Sequence, residues 1–170
     1  MSFKEIGIKE IIMNPFTKIG REWSLLTAGT KETGFNMMTA SWAGFGMFWN
    51  KNTVTVYIRK SRYTSKFFNE NDYFTVSFYE EGYREALNIC GKLHGNECDK
   101  VKESGLTPYF LKNTTAFEQA SLIFVCRKLL HADVTADGSS ASEVFDAIYG
   151  GTDDYHRIFI GEVVKVLVKE

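Results

Sequence analysis

The chain has 170 residues, 44% apolar and 15% aromatic, which is enough to bury one sizeable core and predicts a single domain over residues 1–170. Twenty basic residues against 21 acidic ones leave it nearly neutral, which removes the electrostatic basis for a general nucleic-acid or acidic-membrane partner. No apolar run approaches a membrane span, and the charged start Phe3-Lys4-Glu5 lacks the apolar core of a signal peptide. Three cysteines with no framework spacing predict reduced thiols and a cytoplasmic setting.

In chain order, Phe3 to Ile12 mixes apolar and charged residues as a short strand before the turn signal Asn14-Pro15. Strands are expected at Trp23–Ala28 and, weakly because its residues are small, at Met38–Gly44. The alternation of Val54, Val56 and Ile58 against Thr53, Thr55 and Tyr57 predicts a half-buried strand. Ser61 is placed to cap a short helix over Arg62–Glu70. Tyr73–Phe78 alternates as another strand. Helices are expected at Tyr83–Ile89, stopping near Gly91, and at Glu97–Ser104, ended by Gly105.

Phe117–Leu130 is apolar on both faces at its centre, as a central strand requires. Ala141–Tyr149 suits a helix, and Tyr155–Val168 a closing strand in which Gly161 marks a bulge or bend. Six or so strands, broken by short helices and not in βαβ order, predict a small, mostly antiparallel barrel with helices at its margins.

The chemistry concentrates between Asn36 and Thr64. Asn36-Met-Met-Thr-Ala-Ser-Trp42 is small and polar and ends in an indole, and Trp49 follows seven residues later. Arg59-Lys-Ser-Arg-Tyr-Thr64 gathers three cations, two hydroxyls and a phenol. Free N–H groups at a helix start, hydroxyls and guanidiniums together suit a terminal phosphate. The plainer alternative is a capping serine with solvated cations, and Trp42 and Trp49 suit packing, the commoner use of such residues, as well as stacking on a ring. Gly44-Phe-Gly46 lacks the third glycine of a dinucleotide fingerprint, and no Gly-Lys-Ser/Thr is present. Cys90, His94 and Cys98 recur every four residues, but two intervening glycines and the lack of a fourth ligand argue against a metal. No Ser–His–Asp arrangement can be read.

In sequence order, Asn36-x-Met-Thr-Ala-Ser-Trp42, Ser61-Arg-Tyr-Thr64, Phe74-Thr-Val-Ser-Phe78, Cys90-Gly-Lys92 with Asp99-Lys100, and Ile160-Gly-Glu-Val163 after His156 resemble the flavin reductase-like family of FMN-binding split barrels. That resemblance implies a six-stranded antiparallel split β-barrel with a few marginal helices, usually a homodimer holding FMN near its interface. It implies that Thr39, Ala40, Ser41 and Trp42 line the flavin ring. Ser61, Arg62, Tyr63 and Thr64 would surround its phosphate, with Arg59 adding charge. Asn36, Cys90, Gly91, Lys92 and His156 complete the implied site, with Cys90 standing where the family usually has serine. The implied activity is hydride transfer from NAD(P)H to bound FMN and on to a small or protein acceptor, with no indispensable side-chain base. A flavoredoxin-like electron carrier serving a protein partner is the alternative.

Overall fold

The computed structural model describes residues 2–170. Its main sheet holds eight strands, and every pairing in it is antiparallel. Chain order begins with β1 (Phe3–Ile6), then a short helical turn α1 (Pro15–Thr17) capped by the Asn14 side chain and continuing as a wider turn to Glu22. Four strands follow: β2 (Ser24–Thr30), β3 (Gly34–Ala40), β4 (Ala43–Phe48) and β5 (Lys51–Arg59). The helix α2 (Tyr63–Glu70) leads into β6 (Tyr73–Phe78). Helices α3 (Arg84–Lys92) and α4 (Lys100–Ser104) and the small ladder of β7 (Pro108–Phe110) with β8 (Thr115–Phe117) come next. The chain ends on β9 (Leu122–Asp133), α5 (Ser142–Tyr149) and β10 (His156–Lys169).

The strand order β3-β2-β6-β9-β10-β5-β4 begins and ends on strands joined by Ser41 and Trp42, so the sheet curls back on itself. Its interior is packed with rings: Phe45 of β4 lies 4.9 Å from Phe124 of β9, and Phe68 of α2 lies 4.9 Å from Phe74 of β6. Val54, Val56 and Ile58 are fully buried in the same core, as their alternation requires. A second apolar layer lies between the other face of the sheet and α3, α4 and β8, around Leu25, Met37, Leu87 and Phe117.

β10 is where the barrel splits. One edge pairs with β9 along most of its length; the other gives residues 156–162 to β5 and residues 166–169 to β1. The register against β9 slips at Gly161, where a Cβ would stand 2.5 Å from the Phe74 ring. The expected bulge is therefore also a close approach to the core.

Three sequence expectations change. Met38–Gly44 breaks into two strands at Ser41, because the chain must cross from one end of the sheet to the other there. Phe117–Leu130 breaks likewise at residues 118–121, which separate β8 from β9. Ser61 does not cap α2: Arg62 holds the cap position without a side-chain bond, and the Ser61 hydroxyl goes elsewhere. Of the two tryptophans open to stacking or packing, Trp49 lies away from the end of β3 and the start of β10. It shares the β4–β5 turn with Asn50, both at positive φ, and stacks on Phe48 at 4.6 Å while 62% exposed.

Candidate functional site

The end of β3 supplies Met38, Thr39 and Ala40, and the crossing segment supplies Ser41 and Trp42. Outward positions on β5, two residues apart, supply Tyr57 and Arg59, and His156 at the start of β10 is the direct neighbour of Arg59. Together these residues line a groove of about 230 Å³. A second groove of about 460 Å³ shares Ser41, Trp42, Tyr57 and His156 with it and is walled by Ile19, Val134 and Tyr149. The combined surface is a shallow, aromatic-sided trough with polar groups at one end, the usual make-up of a site for a flat ligand.

Trp42 is 44% exposed, and its ring lies 4.9 Å from that of His156. Tyr149 Oη is 2.9 Å from His156 Nδ1, so α5 fixes the imidazole from behind. Burial, and then Arg59, hold the His156 imidazolium below its ordinary pKa, leaving the ring neutral at physiological pH.

Beyond Arg59 lies the cationic end. Arg62 donates to the Gly91 carbonyl at 2.8 Å, and burial lowers the pKa of its guanidinium. Lys100, on α4, is only 4% exposed and donates to the carbonyls of Met37 and Cys90 at 2.8 and 2.9 Å. Neither cation pairs with a carboxylate among the described residues. Two uncompensated, desolvated cations favour an anion beside them. Ser61, exposed on the same turn, gives its N–H and its hydroxyl to the two oxygens of Asp154, at 2.9 and 2.6 Å. The carboxylate shows that this backbone and side-chain pair fits a two-oxygen anion.

The remaining expected site residues take supporting positions. Asn36 and Thr64 are both buried, and the Asn36 amide donates to the Thr64 hydroxyl at 2.8 Å, tying α2 to β3. Thr39 donates to the Leu87 carbonyl, which holds α3 against the groove wall. Gly91 faces the same residue one turn on, where a Cβ would sit 3.4 Å from the Thr39 Cβ, an ordinary contact. Tyr63 opens α2 with its ring edge-on to Phe67, and Lys92 is exposed at the end of α3. Cys90 is completely buried, and burial raises its thiol pKa, so it packs as a small apolar residue. Cys98 donates to the His94 carbonyl, and no three His, Cys, Asp or Glu side chains among the described residues come together as a metal cage.

Lys100 and Asp154 were not among the expected site residues. Asp99-Lys100 stood out only as part of a motif, and nothing near Asp154 in sequence points to Ser61, 93 positions away.

Burial, and then Arg62, lower the Lys100 ammonium from its ordinary value to about 8. Its charge therefore costs the folded state stability below pH 8, and that cost is relieved as pH rises from about 8 toward 10.5, where the unfolded chain titrates. Wild type should gain on the order of 3 kcal/mol relative to Lys100→Met across that window. Thermal unfolding of both proteins at pH 7 and pH 10 measures it; a constant gap between them would contradict the assignment.

An antiparallel split barrel with an aromatic trough leading to a cationic end defines a class of small ligand-binding β-barrels. A family model described as the flavin reductase-like domain matches residues 16–170, and the chain belongs to that family. Among solved structures, it is similar to a flavoredoxin from Methanosarcina acetivorans, with TM-score 0.68 and 21% identity, covering 88% of this chain and 69% of that one. Nitrilotriacetate monooxygenase component B from Bacillus cereus matches at TM-score 0.68 and 21% identity, over 97% of this chain and 81% of that one. An FMN-binding domain of a flavin reductases-like enzyme from Shewanella baltica matches at 0.68 and 13%, over 98% and 77%. These likenesses establish the split-barrel fold. No curated protein gives a significant match.

Proposed function

We propose that this protein is an FMN-dependent oxidoreductase of the flavin reductase type, oxidising NADH or NADPH and passing the electrons to a small or protein acceptor. The observation that carries the reading is that the trough at Trp42, Tyr57 and His156 ends on Arg59, which Asp154 links to Ser61 on the turn that leads to Arg62. A ring and a phosphate joined by a short polyol match such a site at both ends. Bound FMN would supply the hydride and single-electron chemistry.

The protein's own residues bind and orient. Thr39, Ala40 and Ser41 present a polar edge along the trough, and Trp42 and Tyr57 give it apolar sides. Arg59, Arg62 and the Ser61 N–H and hydroxyl hold the phosphate end. The neutral His156, pinned by Tyr149, can exchange a hydrogen bond with a ligand without adding charge. The open side of the trough leaves room for a nicotinamide to stack, so no separate nucleotide domain is needed.

The reading extends to a cytoplasmic homodimer. Phe16, Met47 and Trp49 are more than 60% exposed, and side chains of this size are usually covered in a soluble assembly. No helix among the described residues is long and apolar enough to cross a membrane.

The same exposed Trp42 edge favours a second reading, a flavoredoxin-like carrier that trades electrons with a protein partner. Purified protein should be yellow, and NADH or NADPH should bleach it in the absence of oxygen. Colour without bleaching selects the carrier, and a colourless protein that takes up no added FMN removes both readings. Light scattering on the loaded protein should return a dimer; a monomer that keeps its FMN would remove the interface.

A further inference from the structure

The segment between β9 and β10 carries α5 and returns to the barrel beside the end of β5. Its last turn lays Asp154 on the cationic end of the site. Oδ1 accepts the Ser61 N–H at 2.9 Å and Oδ2 accepts the Ser61 hydroxyl at 2.6 Å. An Arg59 nitrogen lies 3.7 Å from Oδ2, while a second Arg59 nitrogen donates to the Ile148 carbonyl at 2.9 Å. The donors that a flavin tail would meet at Ser61 are thus already met by a carboxylate of the same chain. Burial pushes the Asp154 carboxyl up, but the two Ser61 bonds and Arg59 outweigh it and hold the group below its ordinary range. It is an anion at neutral pH.

We propose that Asp154 is a specificity-determining residue, which sets the preference between FMN and riboflavin by competing with the flavin phosphate for Ser61 and Arg59. The inference rests on the FMN reading above. A dianionic phosphate must push the carboxylate off Ser61 or sit against a like charge, and either costs affinity. Riboflavin ends in a hydroxyl, which can donate to the same carboxylate without displacing it. The native site therefore separates the two flavins less than its cations alone would.

Quenching of flavin fluorescence, titrated with FMN and with riboflavin, measures the effect on wild type, Asp154→Asn and Asp154→Ala. Removing the charge should tighten FMN about tenfold and change riboflavin by less than about twofold. Wild type itself should favour FMN by less than about a thousandfold, a reading that needs no variant to fold. An FMN-to-riboflavin ratio that stays unchanged or falls in folded variants overturns the role of Asp154 and leaves the FMN site standing. A wild-type preference for FMN above about a thousandfold does the same. Failure of all three proteins to bind either flavin overturns the FMN reading and this inference together.

Discussion

Replacing Ser61 and Arg62 together by alanine should weaken FMN binding by at least about a hundredfold, because each charge-assisted contact contributes about 1.5–3 kcal/mol in a partly desolvated site. The two residues contribute differently. Ser61 offers an exposed N–H and hydroxyl that already hold a carboxylate, and alanine keeps the first donor and removes the second. Arg62 is partly buried and bonded to the Gly91 carbonyl, so its loss also loosens α3 where that helix touches Thr39. A double-mutant cycle separates the two contributions, with near-ultraviolet circular dichroism to confirm that each variant keeps its packing. Unchanged flavin affinity in a folded double mutant would remove the phosphate from this turn and with it the proposed orientation of the whole ligand.

Gly161→Ala should cost about 2–3 kcal/mol of stability, through crowding rather than lost burial. The new methyl would stand 2.5 Å from the edge of the Phe74 ring and 2.9 Å from the Cys126 Cβ, both inside the barrel. Phe74 cannot swing aside, since Phe68 packs on it at 4.9 Å and Phe159 packs on Phe68 at 5.3 Å. The relief must come from β10 moving off β6 and β9, and that shift would travel to His156 at the strand's other end. A melting temperature lowered by about 5–10 °C is expected. A variant as stable as wild type would show that the bulge at Gly161 yields more easily than its contacts suggest.

The barrel was legible in the sequence wherever one face of a strand is buried. Thr53–Ile58 lies within β5, and Tyr73–Phe78 has the bounds of β6, because alternating valines, isoleucines and phenylalanines record which side meets the core. Periodicity fails where small residues fill the chain. Between Met38 and Gly44 the one large side chain is Trp42, so nothing in the pattern marks the crossing at Ser41. Helix ends were more legible: α2 ends at Glu70, α4 at Ser104 before a left-handed Gly105 and α5 at Tyr149, whereas α3 runs on through Gly91 to Lys92. Within the site, residues close in sequence could be grouped, as Ser61 and Arg62 were. Lys100 and Asp154 reach it from distant elements, and their roles are set by carbonyls and hydroxyls that only the fold brings near.

The double pairing of β10 has a consequence for when the site comes into being. This strand joins β9, β5 and β1, and it follows all three in the chain. A growing chain can form the β2–β3 and β4–β5 hairpins early, but the trough lacks its His156 wall until the strand after α5 has emerged. Contacts between β1 and β10 span nearly the whole sequence, which makes closure one of the slow, late events of folding. Cofactor capture is then a step that follows synthesis, and a stalled or nicked chain that stops short of His156 would have most of its strands and no finished place to hold a flavin.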